Sequence, residues 1–201
     1  MEFWNRIILE KSWEVLQKIS KEFDFILIGG WAVCLWTNSQ KSNSIDIIIE
    51  YETLNYLKSN YYLKKNDHLK KYEIVVDEVD IDVYLPYFSN LGIPVEEIIM
   101  HKVKVKGFTT LPPELLLILK QKAEIDRRDS IKGLKDSVDI LNLLMSLDID
   151  WEKYNEYVEK YNLREYRREL FHIINTFDML EYVGMNPREY KVWKKDILGN
   201  L

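Results

Sequence analysis

Phe25-Ile26-Leu27-Ile28-Gly29-Gly30-Trp31-Ala32-Val33-Cys34-Leu35-Trp36 is the stretch on which the fold turns. Four uncharged apolar residues read as a short buried strand, two glycines stop it, and the apolar run then resumes as a short helix. A glycine pair at that junction lets backbone approach a ligand closely, and the N–H groups opening the helix can meet a phosphate. Further on, Ser44-Ile45-Asp46-Ile47-Ile48-Ile49-Glu50 has the β-branched density of a central strand, and alternation sets Ser44 and Asp46 on one face. Val79-Asp80-Ile81-Asp82-Val83-Tyr84-Leu85 alternates as well, so Asp80 and Asp82 share the polar face of another strand. If the two strands are neighbours, Asp46, Asp80 and Asp82 converge. A hard divalent cation carrying a nucleotide's phosphates requires such an oxygen cluster.

Outward from this core the pattern stays legible. Trp4, Ile8, Val15 and Ile19 recur near the helical period, residues 51–59 read as a helix, and a hairpin is expected over 61–76 around Lys65-Asn66-Asp67. Lys102-Val103-Lys104-Val105-Lys106-Gly107 alternates like a strand. After Leu111-Pro112-Pro113 the spacing turns helical, from Glu114 to Leu147 and then over about 151–160, 162–182 and 187–198. Strands first and helices second predict an α+β fold: a mixed-sheet core over residues 1–110 and a helical region over 111–201 packed on it.

Composition narrows the function classes. The 201 residues carry 28 Lys+Arg against 33 Asp+Glu, a net charge of -5, which argues against coating nucleic acid by bulk charge. One cysteine, Cys34, excludes an internal disulfide framework and a cysteine-based zinc site. Three scattered histidines (His68, His101 and His172) argue against a histidine-rich metal centre. Charges inside the first apolar stretch speak against a signal peptide, and the longest apolar run is about half the ~20 residues that span a bilayer. A cytoplasmic protein with no membrane partner is the expectation.

The order of these motifs resembles the DNA polymerase β-like nucleotidyltransferase superfamily, in its small antibiotic-type and abortive-infection-toxin-type branches. Gly29-Gly30-Trp31-Ala32 is similar to the glycine turn of those branches, and Lys41-Ser42-Asn43-Ser44-Ile45-Asp46 to the following acidic block. Leu119-Lys120-Gln121-Lys122-Ala123 and Lys135-Asp136-Ser137-Val138-Asp139 resemble helical motifs of the abortive-infection branch. The resemblance covers roughly residues 22–145 and implies a nucleotidyltransferase-like fold. It implies Mg²⁺-dependent transfer of a nucleoside monophosphate from an NTP to an acceptor, which RNA, a protein or a small molecule would supply. Asp46 matches the second family acid and Asp82, or else Asp80, the third; Asp46 and Asp82 would hold metal, with Asp80 assisting catalysis. Gly29, Gly30, Ser44, Lys120, Arg127, Lys135, Asp136 and Asp139 would bind nucleotide.

One position departs from the family: Ser44 stands where the first family Asp would be. A neutral hydroxyl removes a charge and a bridging carboxylate. An alternative is therefore kept: a degenerate, non-catalytic fold that binds a nucleotide, RNA or a partner protein in the manner of a toxin–antitoxin component. The lysines at 58, 64, 65, 70 and 71, and those at 102, 104 and 106, read as polyanion receivers or as solvated guards of a sheet edge. The aromatic residues of the C-terminal helices read as core, and His172 and Cys34 as structural residues.

Overall fold

The computed structural model describes residues 6–200. Helix α1 (Arg6–Ile19) opens the chain, its Val15, Leu16 and Ile19 buried; Trp4 lies outside the described residues. Strand β1 (Ile26–Ile28) runs straight into helix α2 (Gly29–Thr37), which ends on Asn38 in the left-handed region. Strand β2 (Ile45–Ile48) and helix α3 (Tyr51–Asn60) follow, then strands β3 (Lys64–Asn66), β4 (Lys71–Val76) and β5 (Val79–Tyr84). A single short turn of helix, α4 (Val95–Ile98), leads through Ile99–His101 to a separate two-stranded hairpin, β6 (Val103–Val105) and β7 (Phe108–Thr110).

The main sheet has the order β1-β2-β5-β4-β3. Only β2 and β5 run parallel; the other three pairings are antiparallel. The sheet is therefore mixed, and with the helices the fold is α+β, as the segment order predicts. Two sequence expectations are refined. The strand read as central lies second in the order and starts at Ile45, leaving Ser44 in the bend before it. The Lys102–Lys106 strand belongs to the small hairpin, because its three residues find a partner in Phe108–Thr110 directly across Gly107.

Alternation gives the sheet its two faces. Ile45, Ile47, Ile81, Val83, Ile74 and Val76 are buried on one, each contributing about 1.5–3 kcal/mol by leaving water. The opposite face carries the charged residues of β2, β4 and β5 described below. Around this core, Trp31 Nε1 donates to Ser12 Oγ at 2.8 Å, tying α2 to α1, and Thr110 Oγ1 donates to the Leu27 carbonyl at 2.7 Å. Both are buried, so neither polar group is left unsatisfied.

The chain divides into two compact units, the first ending at Pro112 and the second beginning at Pro113. The second unit is helical: α5 (Pro113–Arg127), α6 (Ile131–Ser146), α7 (Trp151–Lys160), α8 (Glu165–Thr176), a short 3₁₀ turn at Leu180–Val183 and α9 (Pro187–Asn200). The helical spacing from Glu114 to Leu147 is thus two helices. Ser130 breaks them and caps the second, its Oγ accepting from Gly133 N at 3.0 Å. Within this unit Gln121 is fully buried and joins three elements: Tyr154 donates to its Oε1, and its Nε2 donates to the Tyr166 carbonyl, both at 2.8 Å. Among the described residues no helix is long and apolar enough to cross a membrane.

Candidate active site on the polar face of the sheet

Register builds the site. Asp46 on β2 is the direct neighbour of Asp82 on β5, and Asp82 in turn faces Glu73 on β4. Directly opposed residues point to the same face, so three carboxylates from three strands form one transverse row. Ile28 continues the row on β1 and Lys64 on β3. Asp80 lies two residues before Asp82 on the same face but is exposed, and its registered partner is Val75. Continuing the β2–β5 register by one residue sets Asp80 beside Ser44 rather than beside Asp46.

The glycine junction fits against this row. Gly29 has φ +68°, a conformation that L side chains rarely adopt. A Cβ built there would stand 2.2 Å from Asp46 Oδ2. The Asp46 carboxylate therefore rests on the bare Cα of Gly29, at the start of α2, where helix N–H groups open. Only glycine meets both demands, the backbone angle and the close approach.

Sequence reasoning missed the residue that now contacts the acids. Lys71 Nζ donates to Asp82 Oδ2 at 2.6 Å and lies 3.3 Å from Glu73 Oε1. Burial pulls its ammonium down, but Asp82 and Glu73 together outweigh that and hold its pKa above the ordinary lysine value. Glu73 is fixed from its other side by Asn66 Nδ2 at 2.9 Å, and Lys64 approaches it to 3.4 Å. Sequence alone groups Lys71 with the hairpin lysines. The alternation Lys71-Tyr72-Glu73, read against Asp82 in hairpin register, was the signal that could have separated it.

Asp46 and Asp82 are hard oxygen donors set side by side, which suits one divalent cation. Among the described residues no group of three or more His, Cys, Asp or Glu is placed to hold a metal ion. The donor set is thus limited to two carboxylates on neighbouring strands, with the neutral hydroxyl of Ser44 in the bend before β2.

The downstream residues sit in the helical unit, in a cluster of their own. Lys120 Nζ lies 3.0 Å from Asp136 Oδ1 and 2.6 Å from Asp139 Oδ2, and Arg127 Nε donates to Asp136 Oδ2 at 2.7 Å. Burial pushes the Asp136 carboxyl up, yet Lys120 and Arg127 prevail and hold it below the ordinary value. At Asp139 burial wins over Lys120, and the carboxyl is raised. Burial likewise lowers the Lys135 ammonium, against the pull of Asp139. Gly133 lets α6 start against the end of α5: a Cβ there would stand 2.2 Å from the Arg127 carbonyl oxygen.

A cleft of about 590 Å³ in the first unit lies away from the acids, lined by Ile26, Ile48, Glu50, Lys102 and Lys104 among others. It takes up the other end of the β1–β2 pair and includes none of Gly29, Gly30, Ser44, Asp46, Asp80 and Asp82, but Lys102 and Lys104, read from sequence as polyanion receivers or sheet-edge guards, line it.

The geometry defines an α+β protein with an acidic row beside a glycine-opened helix. No protein-family model matches the chain, and no curated protein matches it. Solved structures to which it is similar include an antigenic nucleotidyltransferase-like protein from Paracoccidioides brasiliensis, at 16% identity and a TM-score of 0.40 over 68% of this chain and 75% of that one.

Proposed function

We propose that this protein is a nucleotidyltransferase that moves a nucleoside monophosphate from an NTP to an acceptor hydroxyl. The carrying observation is the registered pair Asp46–Asp82 on parallel neighbouring strands, with the Asp46 carboxylate seated on Gly29 at the start of α2. Asp46 and Asp82 would hold Mg²⁺, which supplies charge neutralisation for the triphosphate and a Lewis acid at the reacting phosphorus. The backbone at Gly29 and Gly30 admits a phosphate close to the helix N–H groups. Asp82 and Asp46 would orient the nucleotide through that ion, and Asp80, exposed and two residues before Asp82 on the same face, would accept the acceptor's proton as pyrophosphate leaves. RNA, a protein or a small molecule could supply that hydroxyl.

A second reading has its own observation. Ser44 takes the place of an acid and Lys71 already neutralises Asp82, which favours a nucleotide-binding module without transfer. One experiment separates the two. Mg²⁺-dependent binding of radiolabelled NTPs is measured first, followed by label transfer and pyrophosphate release, for wild type and for Asp46→Asn and Asp82→Asn. Transfer that both substitutions abolish supports the enzyme. Binding without transfer supports the module. No Mg²⁺–NTP binding by the wild type overturns both.

A further inference from the structure

Lys71 is held in place more firmly than a surface lysine would be. Its side chain is only 12% exposed, against 51% for Lys18 in a surface pair with Asp77. The backbone immediately before it is anchored: Lys70 is in the left-handed region at φ +50°, and buried Ser89 donates from Oγ to the Lys70 carbonyl at 2.5 Å. Ser89 Oγ itself accepts from Leu85 N at 3.0 Å, just beyond β5, so the anchor ties the start of β4 to the strand that carries Asp82. On the far side Asn66 orients Glu73 to receive the same ammonium. Five residues outside the acid pair, Lys70, Ser89, Leu85, Asn66 and Glu73, thus cooperate to deliver one positive charge to Asp82.

We infer that Lys71 is a resident counter-cation that excludes a divalent ion from Asp82 until it swings away, so that metal loading and the Lys71–Asp82 pair are mutually exclusive. This rests on the reading of Asp46 and Asp82 as cation ligands. An ammonium 2.6 Å from Asp82 Oδ2 uses the charge that a metal would need. A divalent ion sharing that carboxylate with it would meet a like charge a few ångströms away, worth roughly tenfold or more in affinity at partly exposed sites. The four-carbon stem of lysine is flexible enough to leave, and a triphosphate offers the ammonium a new partner. The arrangement keeps the acids neutralised when no nucleotide is present and couples metal entry to nucleotide arrival.

The test is Mn²⁺ binding in the absence of nucleotide, followed by the electron paramagnetic resonance signal of the free ion. Wild type, Lys71→Met, Lys71→Gln and Lys71→Arg are compared, with far-UV circular dichroism confirming that each is folded. Lys71→Met and Lys71→Gln are expected to bind Mn²⁺ roughly tenfold or more tightly than wild type. Lys71→Arg, which keeps the charge, should stay weak, and Asp82→Asn placed on Lys71→Met should cancel the gain. Equal Mn²⁺ affinity in wild type and both neutral variants overturns the exclusion. If wild type still binds Mg²⁺–NTP in that case, the nucleotidyltransferase reading survives alone. Absence of Mn²⁺ binding in every variant, with no Mg²⁺–NTP binding, overturns both.

Discussion

Two charged clusters, one in each unit, use the same residue types in opposite ways. In the helical unit Asp136 is 1% exposed and shared between the buried Lys120 and the partly exposed Arg127, so its carboxylate is satisfied out of water. On the sheet face Asp82 is 27% exposed and faces a single lysine, beside two further carboxylates in its own row. Depth makes the difference. A buried ion pair is costly to form and costlier to break. A pair whose carboxylate is 27% exposed costs less to open, because that carboxylate can turn to water.

That contrast is most easily broken at Asp136. Asp136→Ala should destabilise the protein by about 3–5 kcal/mol, because Lys120 and Arg127 lose the carboxylate between them. Chemical denaturation measures it, and a loss below about 1 kcal/mol would place this cluster with the exchangeable kind.

Gly133→Ala should cost about 1–3 kcal/mol, since the new methyl meets the Arg127 carbonyl rather than a movable side chain. The same substitution at Gly29 sharpens the other side of the comparison. There the methyl meets the Asp46 carboxylate in a left-handed backbone, at a cost of about 1–2 kcal/mol from the conformation alone. Cation binding should fall with it, whereas Gly133→Ala should leave cation binding unchanged. Calorimetric titration with Mn²⁺ on both variants reads the distinction.

Acidity separates the two aspartates of the helical cluster. The Asp136 pKa is lower in the folded protein than in the unfolded chain, so its contribution is complete above the unfolded value near about 4 and is lost as pH falls through that value and below. The Asp139 pKa is higher in the folded protein, so its contribution is complete below about 4 and is lost as pH rises through the raised folded value. Thermal melts between pH 3 and 7 should therefore lose less stability on acidification in Asp136→Asn than in wild type, and more in Asp139→Asn. Identical profiles for the two variants would show that the cluster titrates as one unit.

The smallest effect is expected at Lys71. Lys71→Met should change stability by only about 1 kcal/mol in urea, because Asp82 and Glu73 can turn to water. A loss as large as that of Asp136→Ala would make Lys71 a structural residue.

Much of this was present in the chain itself. Alternation in Val79–Tyr84 and the β-branched run at Ile45–Ile49 put Asp82, Asp80 and Asp46 on strands with one polar face, because a period of two leaves no other arrangement. The glycine pair after Ile28 marked the junction where backbone comes close to a side chain, and Pro112-Pro113 marked the change from strands to helices. Pairing and depth could not be read the same way. Which strand neighbours which, and hence that Asp46 stands against Asp82 and Glu73 against both their row and Lys71, depends on register between segments far apart in sequence. Whether Lys120 is an exposed phosphate handle or the centre of a buried cluster depends on the close approach of α5 and α6 at Gly133. Local spacing is set by the geometry of each backbone element. The company a charge keeps is set by packing, and packing decides whether that charge is structure or site.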